Sequence, residues 1–368
     1  MPDITVAAVQ DALAGVIDPD TNEPVTKAGM VTEVKIEGDQ VSFAVDLGTS
    51  GSAKRETLGG AFRKAIAALG AKSVEIHWSG ELGGREVAAG DPMPGVKNIV
   101  LVMSGKGGVG KSTCATNLTL ALKRAGHRVG LLDADIYGPS IPTMLGVMGR
   151  PVSSDGKTID PLERFGVKLM SIGFLLEDPK QSVIWRGPML HGALQQFLND
   201  VNWGELDFLL LDLPPGTGDV ALTLSQRAKV TGAVIVTTPQ TVATDDVFKS
   251  VSMCQKVNIP LLGVVENMSF FIDSAGVRHE LFGKGGGQAV AEFAGAPLLG
   301  QVPIDQTVRE WGDKGTPVVQ AMPASSVSQA FVQIAERLVD VIAARTAEAG
   351  PVIDRSGGVG KKRLPITK

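Results

Sequence analysis

The residues with the clearest chemical potential are Gly105-Lys106-Gly107-Gly108-Val109-Gly110-Lys111-Ser112, which satisfy the spacing G-x-x-x-x-G-K-[ST]. Glycines let such a loop wrap around phosphate so that backbone N–H groups and the positive end of the following helix point at it. Lys111 supplies charge at the β and γ oxygens, Ser112 offers a hydroxyl to Mg²⁺, and Thr113 joins the nucleotide-binding set. Two acidic segments lie downstream. Asp133-Ala134-Asp135 brings two carboxylates to the end of an apolar run, and one of them can orient water. Asp212 ends the run Phe208–Leu211 as the type of acid that holds a Mg²⁺-bound water. The stretch Pro214-Pro215-Gly216-Thr217-Gly218-Asp219 is stiff and glycine-hinged, suited to sensing a γ-phosphate.

These groups need a sheet to hold them. The run NIVLVM leads into the glycine loop and a helix from about Ser112 to Arg124 leaves it, the context that a phosphate loop requires. Ile99–Met103, Val129–Leu132, Phe208–Leu211, Ala233–Thr237 and Leu261–Val265 read as buried strands alternating with helical patterns. The pattern predicts an α/β fold, a doubly wound and mostly parallel sheet, with its ligands gathered at the C-terminal strand ends. Ahead of it, residues 1–88 read as a small α+β domain. Its elements are a helix ending near Ala14, strands at Met30–Ile36 and Val41–Leu47 turning at Glu37-Gly38-Asp39, a helix at Arg55–Leu69 and a strand at Ser73–Trp78. The Gly- and Pro-rich stretch Gly80–Gly95 lacks apolar periodicity and contains the linker, residues 89–95. The ATPase-type domain spans 96–348. It closes with a helix at about Ser325–Glu348 that sets Val327, Phe331, Ile334, Leu338 and Ile342 on one face. Residues 349–368 form a flexible basic tail in which Gly357–Lys361 imitates a phosphate loop without the strand and helix that one needs.

Composition narrows the partners. The 368 residues are 43% hydrophobic and 20% charged with a net charge of −4, so no basic excess advertises nucleic-acid or anionic-lipid binding. Two cysteines, Cys114 and Cys254, cannot build a disulfide framework, and both read as small buried apolar residues. The acidic N-terminal segment lacks the basic flank of a signal or transit peptide, and no apolar run reaches a membrane span. These readings predict a cytoplasmic protein with neither nucleic acid nor membrane as partner.

The second lysine of the loop, Lys106, gives it the form KGGxGK[ST]. This resembles the deviant Walker A of the ATPase class that includes the Min and Par partition ATPases, the arsenite-pump ATPase and the nitrogenase iron protein. The resemblance implies a homodimer in which Lys106 reaches the partner's phosphates. It also implies that Asp135 positions the attacking water and that Asp133 stands nearer the Mg²⁺ shell, the opposite assignment being the alternative. Asn267, by the same resemblance, reads the adenine edge beside backbone near Pro303. Four segments narrow it further: SGKGGVGKST at Ser104–Thr113, DADIYGPSIPTMLG at Asp133–Gly146, WRGPM at Trp185–Met189, and VVENMSFF running into HELFGKGGG. They resemble the Mrp/ApbC family of iron–sulfur cluster carrier ATPases, and the stretch VIDPDTNEPVTKAGMVTEVKIEGDQVSFAVDL resembles that family's cluster-assembly scaffold domain. The resemblance implies slow hydrolysis of ATP with Mg²⁺, a [4Fe–4S] cluster as cargo, and apo iron–sulfur proteins or another protein client as partners. One departure bears on function. Family members place C-x-x-C where this chain reads Phe271-Ile272-Asp273-Ser274-Ala275-Gly276-Val277-Arg278-His279, one residue shorter, and Gly48–Ser52 stands where the small domain's relatives often have a cysteine. No Fe–S ligand is identified, because such clusters take thiolates. A cluster-free, nucleotide-gated module acting on a protein client is therefore the alternative function, and a Min- or Par-like positioning ATPase is a further one that the acidic charge disfavours.

Overall fold

The computed structural model describes residues 4–19, 21–37, 40–46, 52–71, 73–79, 84–88, 90–135, 138–175, 187–216 and 218–349. The N-terminal unit consists of α1 (Val6–Ala14), β1 (Val31–Glu37), β2 (Gln40–Asp46), α2 (Ser52–Ala67) and β3 (Ser73–Ser79). Strand β1 runs antiparallel to β2, and β3 parallel to it, so the sheet order is β1-β2-β3. Alternation on β2 sends Val41, Phe43 and Val45 inward against Leu58, Phe62 and Ile66 of α2, with Phe43 meeting Phe62 edge-on at 5.6 Å. The turn residues Gly38 and Asp39 lie outside the described residues, as do Leu47–Gly51.

The larger unit holds an eight-stranded sheet. In chain order it contains β4 (Val96–Met103), α3 (Lys111–Arg124), β5 (Val129–Asp133), α4 (Ile141–Met144), β6 (Leu162–Arg164), β7 (Val167–Ser171), α5 (Gly187–Asn199), β8 (Leu206–Asp212), α6 (Gly218–Arg227), β9 (Gly232–Thr237), α7 (Thr241–Lys256), β10 (Leu261–Glu266), β11 (Phe271–Ile272), β12 (Arg278–His279), α8 (Gly286–Ala294), β13 (Leu298–Gln301), α9 (Gln306–Asp313), α10 (Val318–Ala321) and α11 (Ser326–Ala349). The strand order is β13-β10-β9-β4-β8-β5-β7-β6, all parallel except the edge strand β6. The expected doubly wound sheet is present. Its central strands are buried along their whole length, which is why they read as unbroken apolar runs. Chain order reverses around β4, so the crevice opens at the C-terminal end of that strand, where the glycine loop follows. Val327, Phe331, Ile334, Leu338 and Ile342 of α11 are all buried in the same core, which settles that face as packing.

The stretch read as a linker is more structured than its composition suggests. Arg85 and Asp91 form an ion pair whose side chains are 1% and 2% exposed. The same guanidinium donates to the carbonyls of Met93 (2.5 Å) and Val96 (3.1 Å), while the Arg85 N–H donates to Lys97 O (2.8 Å). Buried polar groups survive only when paired, and here the pairing fastens residues 85–93 to the start of β4. Apolar periodicity cannot reveal a segment held by a guanidinium. Residues 80–83 lie outside the described set, as does the tail from Gly350.

His127, between α3 and β5, is buried edge-on against Phe208 at 5.0 Å, and both ring nitrogens lack a hydrogen-bond partner among the described residues. Burial pushes its pKa down to about 4 from 6.5, opposed by nearby Asp207 and aided by Lys97. Between those values the unfolded chain binds the extra proton, so this group's contribution is present above pH 6.5 and is lost as pH falls toward 4. The loss should reach about 3 kcal/mol. Denaturant melts of wild type and His127→Leu from pH 7 to pH 4 are expected to show a flatter acid limb in the variant; parallel limbs would contradict this account.

Candidate nucleotide-binding site

The glycine loop joins β4 to α3, and its backbone is shaped by close approaches. A Cβ on Gly105 would lie 2.3 Å from the Val247 nitrogen and 2.4 Å from the Asp246 carbonyl carbon, so α7 backbone presses on the loop's first residue. Gly110 adopts a left-handed φ of 79°, and a Cβ there would meet Asn267 Nδ2 at 2.2 Å. Gly110 is also the N-cap of α3 and provides no side-chain cap, so the helix turns its first N–H groups toward the loop as an anion site.

Lys111 begins that helix and is buried. Its Nζ lies 2.5 Å from Asp212 Oδ1, 3.5 Å from Asp135 Oδ2 and 3.4 Å from Ser112 Oγ. The acids arrive from two adjacent strands: Asp133 ends β5, Asp212 ends β8, and the two are directly paired in the sheet register. Asp133 is fully buried and accepts from Ser171 Oγ (3.0 Å) and the Asp135 N–H (3.2 Å). Burial, and next the neighbouring Asp212 charge, push its pKa up to about 8. Burial also raises Asp212, against the pull of Lys111 and the nearby Ser112 hydroxyl. Asp212 Oδ2 has no hydrogen-bond partner among the described residues. One ammonium thus faces three carboxyl groups with an oxygen to spare. These are hard oxygen donors of the kind a divalent cation takes, but among the described residues no three acidic or imidazole side chains converge on one metal position, and Lys111 occupies the space between them.

Asn267 stands just past β10 with its Nδ2 donating to Val109 O at 2.9 Å. It borders a cavity of about 1150 Å³ with Gly110, Thr113, Met268, Pro303 and Ile304. The structure therefore brings together the residues expected to meet a base, and adds Met144 from the segment Asp133–Gly146 together with Asn117 and Phe174, which no sequence signal marked. Lys106 is exposed on the loop, and its charge lowers the pKa of Asp246 after the larger effect of Lys249. Gly107 and Gly108 are likewise exposed, and Val109 is buried. From the segment expected to sense phosphate, the Gly216 N–H donates to Ser104 O at 3.1 Å, tying it to the loop's entry. Thr217 lies outside the described residues, as do Ile136, Tyr137, Trp185 and Arg186.

The substituted cysteine stretch is a hairpin of β11 and β12. Asp273 closes it: Oδ1 accepts from the Ala275 and Val277 N–H groups, both at 2.9 Å, and Oδ2 lies 2.7 Å from His279 Nε2. Cys114 and Cys254 are buried as expected; burial raises both thiols, Cys254 to about 11.

The fold that carries these residues is shared with known proteins. Residues 95–339 match the family model described as NUBPL iron-transfer P-loop NTPase, and residues 6–78 match that of an iron–sulfur cluster assembly protein. The iron–sulfur cluster carrier protein of Synechocystis is 45% identical over 343 residues, covering 91% of this chain and 97% of the relative. Among solved structures, a nucleotide-binding protein from Archaeoglobus fulgidus in complex with ADP is 41% identical, with a TM-score of 0.54 over 61% of this chain and 88% of the other. The cell division ATPase MinD of Pyrococcus furiosus is 25% identical, with a TM-score of 0.51 over 66% of this chain and 99% of the other.

In a phosphate loop the charge of this lysine would face the transferring group, so Lys111→Ala and Lys111→Met are expected to lower ATP hydrolysis about 100-fold or more. Phosphate release at saturating ATP measures it, and unchanged hydrolysis would remove Lys111 from the site.

Proposed function

The chain belongs to the NUBPL iron-transfer P-loop NTPase family, and from that premise we propose that it is an ATP-hydrolysing iron–sulfur cluster carrier acting as a cytoplasmic homodimer. The observation that supports this best is the buried Lys111 set among Asp212, Asp135 and Ser112 at the uncapped start of α3. The work divides between a small unit expected at residues 1–88 and an ATPase unit expected at 96–348, with 89–95 between them, and the buried Arg85–Asp91 pair attaches the end of the first span to the second.

In this reading the loop amides from Gly105 to Ser112 and the start of α3 cradle the phosphates, with Thr113 and Asn267 on the side of the base. Lys111 exchanges its carboxylate partners for the γ-phosphate oxygens and stabilises the charge that grows there. Asp135, an outer partner of Lys111 at 3.5 Å, orients water for in-line attack. Ser112, Asp133 and Asp212, the last through water, would hold Mg²⁺, which when bound neutralises phosphate charge. Lys106 completes the site of the partner subunit. Mixing Lys106→Ala chains with Asp135→Ala chains tests this, since each homodimer should lose about 100-fold while the mixed dimer regains one intact composite site. A fully active Lys106→Ala homodimer would reduce Lys106 to a surface charge.

The cargo is less well provided for. Asp273, Ser274 and His279 offer oxygen and nitrogen donors, Asp273 is already spent in closing the hairpin, and both thiols are buried. This observation favours a second reading, a nucleotide-gated module whose client completes any cluster with its own thiols. Anaerobic reconstitution with iron and sulfide, followed by iron counting, is expected to give the isolated chain no stable [4Fe–4S] cluster, or only a labile one. A stoichiometric, chelator-resistant cluster would restore the self-sufficient carrier.

A further inference from the structure

Glu266 ends β10, is fully buried, and has no part in the phosphate chemistry. Three donors meet its carboxylate: the Gly287 N–H at 2.5 Å on Oε2, Gln301 Nε2 at 2.6 Å on Oε1, and the Ser269 hydroxyl on Oε1. Each comes from a different segment. Ser269 closes the turn that contains Asn267 and Met268, and Met268 is held at a φ of 52°, unusual for a residue with a side chain. Gln301 ends β13 and leads into Pro303 and Ile304, the facing wall of the base cavity. Gly287 lies in the first turn of α8, just after the hairpin and the loop that follows it.

Backbone bonds run along the same route. The Val302 N–H donates to Glu266 O (2.9 Å), the Ser269 N–H to Val302 O (2.9 Å), and the Ile304 N–H to Phe270 O (2.6 Å). Contact at α8 leaves no slack: a Cβ on Gly287 would lie 2.7 Å from Glu266 Cβ, and one on Gly286 2.5 Å from Pro239 O. Helix α8 has no side-chain cap at its own N-cap residue, so Glu266 satisfies one of its orphan donors from outside. A carboxylate with three donors is an ordinary way to finish a helix start. Here, however, two of the three donors sit beside cavity-lining residues in the chain, Ser269 directly after Met268 and Gln301 two residues before Pro303, and the third follows the segment that exposes Phe271, Ile272, Val277, Leu281 and Phe282.

We propose that Glu266 is a positioning residue that couples occupancy of the base cavity to residues 270–290, so that this apolar surface reports the nucleotide state. The proposal rests on the nucleotide-site reading above. Movement of Asn267, Met268 or Pro303 toward a base shifts donors that share one acceptor, and the rigid seat of Gly286 and Gly287 transmits the shift to α8. Hydrogen–deuterium exchange of the full chain with and without ADP reads this directly, alongside calorimetry of ADP binding. In wild type, ADP should slow exchange in residues 280–290 about fivefold or more, while in Glu266→Gln, which keeps the volume but turns a donor toward donors, the effect should fall below about twofold. Gln301→Met, which removes one donor and leaves Glu266 in place, should weaken the same effect and serves if Glu266→Gln does not fold. Equal ADP-linked protection in wild type and a folded variant assigns Glu266 a purely structural role and overturns the coupling. Absence of ADP binding to wild type in calorimetry overturns the nucleotide reading and the coupling with it; ADP binding without protection overturns the coupling alone.

Discussion

Parallel strands that end side by side bring their terminal side chains into one small volume, and here two of those side chains are carboxylates. Asp133 and Asp212 face each other at the ends of β5 and β8, fully buried, and one ammonium answers them. Charges so placed are costly unless compensated. The glycine loop, the N-terminus of α3 and the position of Lys111 can all be understood as compensation that is incomplete by design. Raised carboxyl pKa values and an Asp212 oxygen without a partner among the described residues are the marks of that incomplete compensation. The sheet could be stabilised more simply by apolar residues at those two positions. That it carries acids there is a functional expense borne by the large core beneath.

Most of this was legible in the chain itself, for a physical reason. A phosphate loop writes its geometry into residue types, since only glycine tolerates the approach of α7 backbone at Gly105 and the left-handed turn at Gly110. Buried parallel strands likewise write theirs into unbroken runs such as Leu206–Asp212. What stayed hidden was whatever depends on residues distant in sequence. Phe174 lines the cavity beside Asn267 from a segment that carries no motif, and although Met144 and Glu266 fall inside motif segments, their residue types alone do not show that one lines that cavity or that three donors converge on the other. Short strands such as β6, β7 and β13 carry too few residues for a period to emerge.

The hairpin at 271–279 is ordered by its own residues. Asp273 accepts two backbone N–H groups and approaches an imidazole, so the turn is closed by its own side chain. Arg278 stacks over Phe270 at 3.8 Å and fixes the base of the hairpin. A loop organised this way holds its shape without metal, which separates the question of what the surface binds from the question of what keeps it folded.

The ion pair of Arg85 and Asp91 bears on how such a chain can be cut and joined. Sequence composition places the natural seam anywhere from Gly80 to Gly95, yet the buried Arg85 guanidinium ties Asp91 and Met93 to Val96, the first residue of β4. The piece that can be inherited, fused or deleted as a unit is thus the sheet together with this clasp. A boundary drawn at Val96 would strip hydrogen bonds from the strand that carries the phosphate loop at its far end, about 26 Å away for eight residues of extended chain. A graft of this sheet onto another partner therefore has to carry Arg85 and Asp91 along with β4.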